Sequence, residues 1–121
     1  MSHIADVCLV ACIDFRFQKF LRDFEDKYLN GKTYDFVGFA GATKNLDVIM
    51  GQLDISVRLH QIKQVILIHH EECGAYGAES TPARHAADLQ KARAAILAKY
   101  PSLQVDLFYM KLDGSAEKKV E

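Results

Sequence analysis

The sequence has little net charge and no long hydrophobic run. Its 15 Lys and Arg residues are balanced by 16 Asp and Glu residues, which gives a formal net charge of -1. Such a chain has no basic field to hold a phosphate backbone or an anionic membrane surface, so neither nucleic acid nor a membrane is expected as a partner. No stretch approaches the roughly 20 apolar residues that a membrane-spanning helix requires.

An export signal and several catalytic motifs are missing as well. The N-terminal stretch "MSHIADVCLVACIDFR" lacks a basic leader, so the chain is predicted to be cytoplasmic, with its three cysteines reduced. Reduced thiols are free to bind metal or to react. The sequence contains no G-x-S-x-G nucleophile elbow, no Walker loop and no G-x-G-x-x-G fingerprint, which excludes the commonest hydrolase and nucleotide-binding patterns.

Alternating strand and helix patterns fill the chain. Its 121 residues and 50% apolar content are enough for one core, so residues 1–121 are interpreted as a single domain. Helical spacing of apolar residues predicts a helix after each of the first three strands, and residues 113–121 are expected to form a frayed tail. Continuous apolar runs predict four buried strands at "DVCLVACI", "TYDFVGFA", "QVILIHH" and "LQVDLFYM".

This alternation predicts the class and topology of the fold. Strands that are connected through helices form parallel sheets with right-handed crossovers. We therefore expect an α/β fold with three layers, in which helices cover both faces of a central parallel sheet. The sheet should have about four strands, in the order 2-1-3-4. In open sheets of this kind, ligands bind beyond the carboxyl ends of the strands.

Metal-binding side chains follow two of the predicted strands. Cys12, Asp14 and Arg16 form a C-x-D-x-R stretch after the first strand, and His70 and Cys73 form an H-x-x-C stretch at the end of the third. The predicted strand order places these two ends side by side. Two thiolates and an imidazole are a strong zinc set, and three protein ligands with an open fourth position are typical of a catalytic site. We therefore expect one Zn²⁺ per chain.

The residues alone leave the role of the neighbouring charges open. The carboxylate of Asp14 would either fill the open coordination position or accept a hydrogen bond from a zinc-bound hydroxide, and Arg16 would decide between these by pairing with it. A disulfide between Cys12 and Cys73 is a weaker alternative to the metal site. Cys8, inside the first strand, is expected to be a core residue.

The two motifs resemble those of the β-class carbonic anhydrases. "CIDFR" is similar to the C-x-D-x-R motif of that family, and "HHEECGAYG" is similar to its H-x-x-C-G motif. The last strand and its turn, "LFYMKLDG", resemble the family's aromatic strand that ends in a glycine turn. The resemblance implies that zinc is bound by three residues and that Asp14 and Arg16 are the catalytic pair; the three ligands would be Cys12, His70 and Cys73.

The implied activity is that of a zinc-dependent carbonate dehydratase, in which a zinc-bound hydroxide attacks CO2 to form bicarbonate. His69 and Tyr76 are expected to support the site or to transfer protons. Two alternatives stay open. One is a zinc-dependent hydrolase of carbonyl sulfide or carbon disulfide on the same fold, which a narrow apolar tunnel would favour. The other is a non-catalytic zinc-binding or interaction module, which would have no need for Asp14 and Arg16.

The chain also departs from the family pattern. Gly38, Phe39 and Ala42 replace polar residues of the family's second-strand motif, and His69 stands where the family usually has glycine. Typical members are dimers whose N-terminal helices wrap the partner, whereas this chain begins almost directly at its first strand. The resemblance implies a homodimer or a higher homo-oligomer, with a cleft that must close in some other way.

Overall fold

The computed structural model describes residues 3–119, which form alternating strands and helices followed by one further strand. Two short 3-10 turns precede α1 and α3, at Phe15–Phe17 and Gly77–Glu79. None of the described helices is long and apolar enough to cross a bilayer. The elements are β1 (Val7–Ala11), α1 (Gln18–Tyr28), β2 (Tyr34–Gly38), α2 (Leu46–His60), β3 (Gln64–His70), α3 (Pro82–Lys99), β4 (Gln104–Met110) and β5 (Ala116–Lys119).

The described strands form one sheet in the order β2-β1-β3-β4-β5. The first four strands are parallel and have the predicted order, which confirms the α/β topology. Their register aligns Val10 of β1 with Leu67 of β3, so the residues that follow these two strands emerge at the same edge. That edge is where the metal-binding motifs lie.

The predicted frayed tail is wrong for most of its length. A turn at Gly114, with φ of +89°, returns the chain, and β5 pairs antiparallel with β4 from Ala116 to Lys119. The sequence "AEKK" has no apolar run, so pattern reasoning had no signal for this strand. Backbone pairing holds it in place, and its lysines are typical of a protected sheet edge. Residues 120 and 121 of the predicted tail lie outside the described residues.

Helices cover both faces of the sheet, as the continuous apolar strands predict. Cys8 of β1 belongs to the cluster beneath α2 and α3, and its neighbour Leu9 belongs to the cluster beneath α1. Successive strand side chains point to opposite faces, and both of these residues are fully buried. The prediction that Cys8 is a core residue is therefore confirmed.

The start of α3 is fixed by a capping interaction. The hydroxyl of Thr81 accepts a hydrogen bond from the backbone N–H of Arg84, and Pro82 occupies the first helical position. This cap sets the rotation of the first turn, in which His85 is completely buried. The helix start thereby brings an imidazole next to the loop that follows β3.

Candidate metal centre

Cys12, His70 and Cys73 meet at the carboxyl edge of the sheet. Cys12 directly follows β1, His70 is the last residue of β3, and Cys73 lies in the loop that follows. All three are buried, and one potential ligand atom from each lies within 4.8 Å of the other two. The strand order that the sequence predicts is the physical reason for this convergence, because β1 and β3 are direct neighbours.

The geometry of this group fits a zinc ion. The two Sγ atoms are 4.0 Å apart. A tetrahedral ion with Zn–S bonds of about 2.3 Å would hold two sulfurs about 3.8 Å apart. Nε2 of His70 is buried and has no hydrogen-bond partner among the described residues, which is costly unless the atom binds something. Nδ1–H of the same ring donates to the backbone carbonyl of Glu71 at 2.7 Å, so the lone pair is left on Nε2, as metal binding requires.

The thiols of Cys12 and Cys73 contact each other, and either sulfur can donate the hydrogen bond. This contact is the main cause that lowers the pKa of Cys12, against the opposing effect of burial. The same hydrogen bond, together with burial, raises the pKa of Cys73. The N–H of Gly41 also donates to Cys12 Sγ at 3.4 Å. All three cysteines of the chain are free, so the alternative of a disulfide between Cys12 and Cys73 is not observed.

Asp14 and Arg16 form a closely held pair beside this group. Nε of Arg16 lies 3.2 Å from each carboxylate oxygen, and Nη2 donates to Oδ2 at 2.8 Å. The hydrogen bonds from Arg16 are the main reason that the pKa of Asp14 is lowered. Nη2 of Arg16 also donates to the backbone carbonyl of Glu72 at 2.8 Å. The pair is therefore tied to the loop that carries Cys73.

His69 and Tyr76 lie in a buried polar cluster behind the ligand group, the name used below for Cys12, His70 and Cys73. His69 is 1% exposed, and its two ring nitrogens contact Thr43 Oγ1 at 2.6 Å and His85 Nδ1 at 2.8 Å. Burial, and to a lesser degree His85, lowers the pKa of His69 to about 3. The hydroxyl of Tyr76 donates to Asp88 at 2.5 Å. Both side chains are thus held inside the protein.

Sequence reasoning missed several residues of this region. Ser80 accepts a hydrogen bond from the backbone N–H of Cys73 at 2.9 Å, and His85 contacts the Ser80 hydroxyl at 2.9 Å. The donor from Gly41 and the acceptor from Glu72 are backbone groups, which no side-chain pattern reveals. The only available signal for His85 was its place in the first turn of a helix that begins near the metal-binding motif.

An open cleft leads to the ligand group. Its volume is about 530 Å³, and two apolar side chains at its mouth, Ile13 and Phe15, are 61% and 86% exposed. This cleft is open, unlike the narrow apolar tunnel that would favour sulfur compounds. The cleft is lined by Cys12, Ile13, Asp14, Phe15, Arg16, Ala40, Glu72, Gly74 and Ala75.

The chain was compared with known proteins. An uncharacterized protein of Rickettsia conorii is 35% identical over 137 aligned positions, covering 94% of this chain and 72% of that protein. A carbonic anhydrase from Glaciozyma antarctica superposes with a TM-score of 0.67 at 18% identity, covering 98% of this chain and 83% of that chain. A carbon disulfide hydrolase in its apo form superposes with a TM-score of 0.64 at 11% identity, covering 98% of this chain and 80% of that chain.

The two structural matches show a shared fold, because identities this low carry no further conclusion. The family assignment comes from a model of the family described as "Putative carbonic anhydrase", which matches residues 3–120. That match spans both metal-binding motifs and all described strands. The chain therefore belongs to this carbonic anhydrase family, as its resemblance to the β-class motifs predicts.

Proposed function

We propose that this protein is a zinc-dependent carbonate dehydratase, a lyase that interconverts CO2 and bicarbonate. The observation that carries the proposal is the buried, unpartnered Nε2 of His70, which lies beside two thiols and 3.8 Å from Oδ2 of Asp14. A metal site and a held carboxylate at one point are what hydration chemistry needs. The family assignment and the shared fold support the same reaction.

Three residues of this chain would hold the metal. Cys12 and Cys73 would bind through their sulfurs and His70 through Nε2. A bound Zn²⁺ would supply a Lewis acid that activates water at neutral pH. The thiol proton that Cys73 shares with Cys12 would be released on metal binding, because thiolates are the ligating form.

Asp14 and Arg16 would prepare the reacting water. Hydrogen bonds from Arg16 keep the carboxylate of Asp14 ionised, so it can accept a hydrogen bond from water and set its orientation. The same hydrogen bonds would keep the carboxylate of Asp14 from binding the metal itself. Arg16 is itself fixed by the carbonyl of Glu72, which makes the arrangement rigid before substrate arrives.

The two alternative functions have different support. The apolar mouth formed by Ile13 and Phe15, together with the fold shared with a carbon disulfide hydrolase, favours hydrolysis of carbonyl sulfide or carbon disulfide. The open shape of the cleft weighs against it. A non-catalytic zinc module would not require the pairing of Asp14 with Arg16, and this pairing is present with four hydrogen bonds.

The proposal extends to a homodimer in a reducing compartment such as the cytoplasm. Phe15 is 86% exposed at the cleft mouth, and Phe36 of the edge strand β2 is 42% exposed. A second copy that covers these side chains would also close the cleft. Thiolate ligands need a compartment in which cysteines stay reduced, which the free state of all three cysteines matches.

The decisive experiment combines metal content with stopped-flow CO2 hydration and carbon disulfide hydrolysis, for the wild type and Asp14→Ala. We expect about one zinc per chain in both proteins, and a loss of hydration by about 100-fold in the variant. Asp54→Ala is the matched control, because it removes a carboxylate that is paired with Lys99 outside the cleft.

Each result separates the candidate functions. Zinc-loaded wild type that consumes carbon disulfide but does not hydrate CO2 would establish the second function. Zinc-loaded wild type with neither activity would support a non-catalytic module. Protein that takes up no zinc at all would overturn every zinc-dependent reading.

A further inference from the structure

A chain of side-chain hydrogen bonds runs behind the ligand group. Ser80 Oγ accepts from the backbone N–H of Cys73 at 2.9 Å and lies 2.9 Å from Nε2 of His85. Nδ1 of His85 lies 2.8 Å from Nδ1 of His69, and Nε2 of His69 lies 2.6 Å from Thr43 Oγ1. Four side chains, from two loops, the first turn of α3 and the end of β3, are thereby connected in one line.

All ring nitrogens in this hydrogen-bond chain have partners when both imidazoles are neutral. The two Nδ1 atoms face each other at 2.8 Å, so one must donate and the other accept. If His69 donates, the hydroxyl of Thr43 donates a hydrogen bond to Nε2 of His69, and Nε2–H of His85 donates a hydrogen bond to Ser80. If His85 donates, the three bonds between side chains reverse direction, and each ring nitrogen again has a partner, whereas the backbone N–H of Cys73 still donates to Ser80. A buried network that is fully satisfied holds its members in one arrangement.

Three of the four side chains in this hydrogen-bond chain are buried, and Ser80 is half-buried. His85 is fully buried, His69 is 1% exposed and Thr43 is 3% exposed, so water does not compete from outside for the bonds that join these three. Tyr76 packs its ring against both imidazoles, with centroid distances of 5.9 Å to His69 and 4.4 Å to His85. Loss of one bond would leave a buried polar atom without a partner.

This hydrogen-bond chain contacts, or lies next to, a segment that holds each of the three prospective metal ligands. Its Ser80 end binds the backbone of Cys73 directly, and His69 immediately precedes His70 in β3. Its Thr43 end lies two residues after Gly41, whose N–H donates to Cys12 Sγ.

We propose that Ser80, His85, His69 and Thr43 form a positioning chain that fixes the three metal ligands relative to one another, with Ser80 acting directly on Cys73. The inference rests on the proposed function only in taking these three residues as the ligands. It adds four residues that act through the ligands and not on the substrate. Loss of such supporting partners weakens metal binding by about 10- to 100-fold in known metal sites.

The first test measures zinc affinity by competition with a chromogenic chelator, and the absorption spectrum of the Co²⁺-substituted protein. Ser80→Ala should weaken zinc binding about 10- to 100-fold and alter the thiolate-to-cobalt absorption. Ser56→Ala is the control, since Ser56 is a buried serine away from the three prospective ligands and donates to Asp35 at 2.6 Å. Equal zinc affinities for wild type and Ser80→Ala, or equal losses in both variants, would overturn the inference.

A second test asks whether the four residues act as one unit. Thr43→Val removes only the hydroxyl, and Thr43→Ser restores it. We expect Thr43→Val to weaken zinc binding, Thr43→Ser to recover it, and Thr43→Val combined with Ser80→Ala to lose less than the product of the two single losses. A loss equal to the product would mean two independent hydrogen bonds and no chain.

A third measurement needs no variant. In the zinc-loaded wild type, the amide of Cys73 should exchange slowly with solvent, because Ser80 accepts its hydrogen. Exchange at the rate of an open loop would contradict the inference. Wild type that binds zinc without hydrating CO2 would refute the proposed reaction and leave the positioning chain intact. Wild type that binds no zinc would refute both.

Discussion

Oδ2 of Asp14 lies 3.8 Å from Nε2 of His70, the buried nitrogen that has no hydrogen-bond partner among the described residues. The same oxygen accepts a hydrogen bond from Nη2 of Arg16 at 2.8 Å. An ionised carboxylate this close to a metal site can become a ligand itself. If Cys12, His70 and Cys73 hold a metal, the hydrogen bonds from Arg16 would decide whether Asp14 also binds it or leaves the fourth coordination position open.

Removal of the Arg16 side chain should let Asp14 occupy the fourth coordination position of the bound metal. In Arg16→Ala, we expect Asp14 to bind the metal, the zinc content to stay near one per chain and CO2 hydration to fall at least about tenfold. The Co²⁺ spectrum should change to that of a site with four protein ligands. In Arg16→Ala combined with Asp14→Ala, it should return to the open form. Arg22→Ala, which breaks the ion pair with Glu25, serves as the control. Undiminished hydration by Arg16→Ala would refute the gating role.

Two cysteines of the chain should respond in opposite ways. Cys73→Ser should lose stoichiometric zinc, measured by elemental analysis after dialysis, because serine does not supply a thiolate. Cys8→Ala should keep zinc and lose about 1 kcal/mol of unfolding free energy, since Cys8 is a fully buried core residue. Burial raises the pKa of Cys8 to about 12, which keeps this thiol protonated. Retention of zinc by Cys73→Ser would contradict the ligand assignment.

Two glycines offer a matched comparison of backbone freedom. Gly41 has φ of +80°, and a Cβ there would lie 3.0 Å from Cβ of Lys44 and 3.2 Å from Cβ of Ala75. Gly41→Ala should lower the unfolding free energy by at least about 1 kcal/mol and weaken zinc binding, because the N–H that supports Cys12 shifts.

The control for this change is Gly51→Ala in α2. A Cβ at Gly51 meets no described atom within 4 Å, and alanine should stabilise the helix by about 0.5–1 kcal/mol without an effect on zinc. Chemical denaturation and chelator competition measure the two quantities. Equal zinc affinities of the two variants would show that the turn at Gly41 does not support the site.

His85 should make the protein sensitive to acid. Burial is the main cause that lowers its pKa, so the folded state takes up a proton less readily than the unfolded chain, whose histidines titrate near about 6.5. Below that pH the unfolded state binds the extra proton. The unfolding free energy should therefore fall as the pH drops from 7 to 5, by at most about 1.4 kcal/mol per pH unit for this residue. The groups that face His85 or act on its charge are His69, Tyr76, Tyr109, Arg84, Asp88, His70 and Cys12.

Urea unfolding at several pH values, with chelator present throughout, checks this dependence. His85→Gln should have a shallower slope between pH 7 and 5 than the wild type, because glutamine does not titrate. An unchanged slope would mean that the acid sensitivity comes from other groups.

The exposed cleft mouth should be a contact between two copies of the chain. Phe15→Asp should shift the protein from dimer to monomer in sedimentation velocity, because a charge at a buried apolar contact is unfavourable. Leu59→Asp places the same charge on α2, where Leu59 is 49% exposed, and should leave the dimer intact. A wild type that sediments as a monomer at micromolar concentration would exclude this interface.

Much of the fold was predictable because its strands are buried on both faces. The apolar runs around Cys8 and Ile66 have no polar alternation, which predicts parallel strands beneath helices. The order 2-1-3-4 was predicted for the first four strands, and the structure has that order. β5 was missed because its exposed residues carry no apolar pattern, and its place depends on backbone hydrogen bonds to β4.

The sequence by itself determined which metal-binding side chains meet: the spacing of His70 and Cys73, and the position of Cys12 after a neighbouring strand, are consequences of local pattern and sheet order. Only the tertiary structure decided how this group is held. Hydrogen bonds between Ser80, His85 and the rest of the positioning chain join residues far apart in sequence, and their formation depends on helix rotation and loop geometry. Those quantities arise from packing of the whole core, which no short motif encodes.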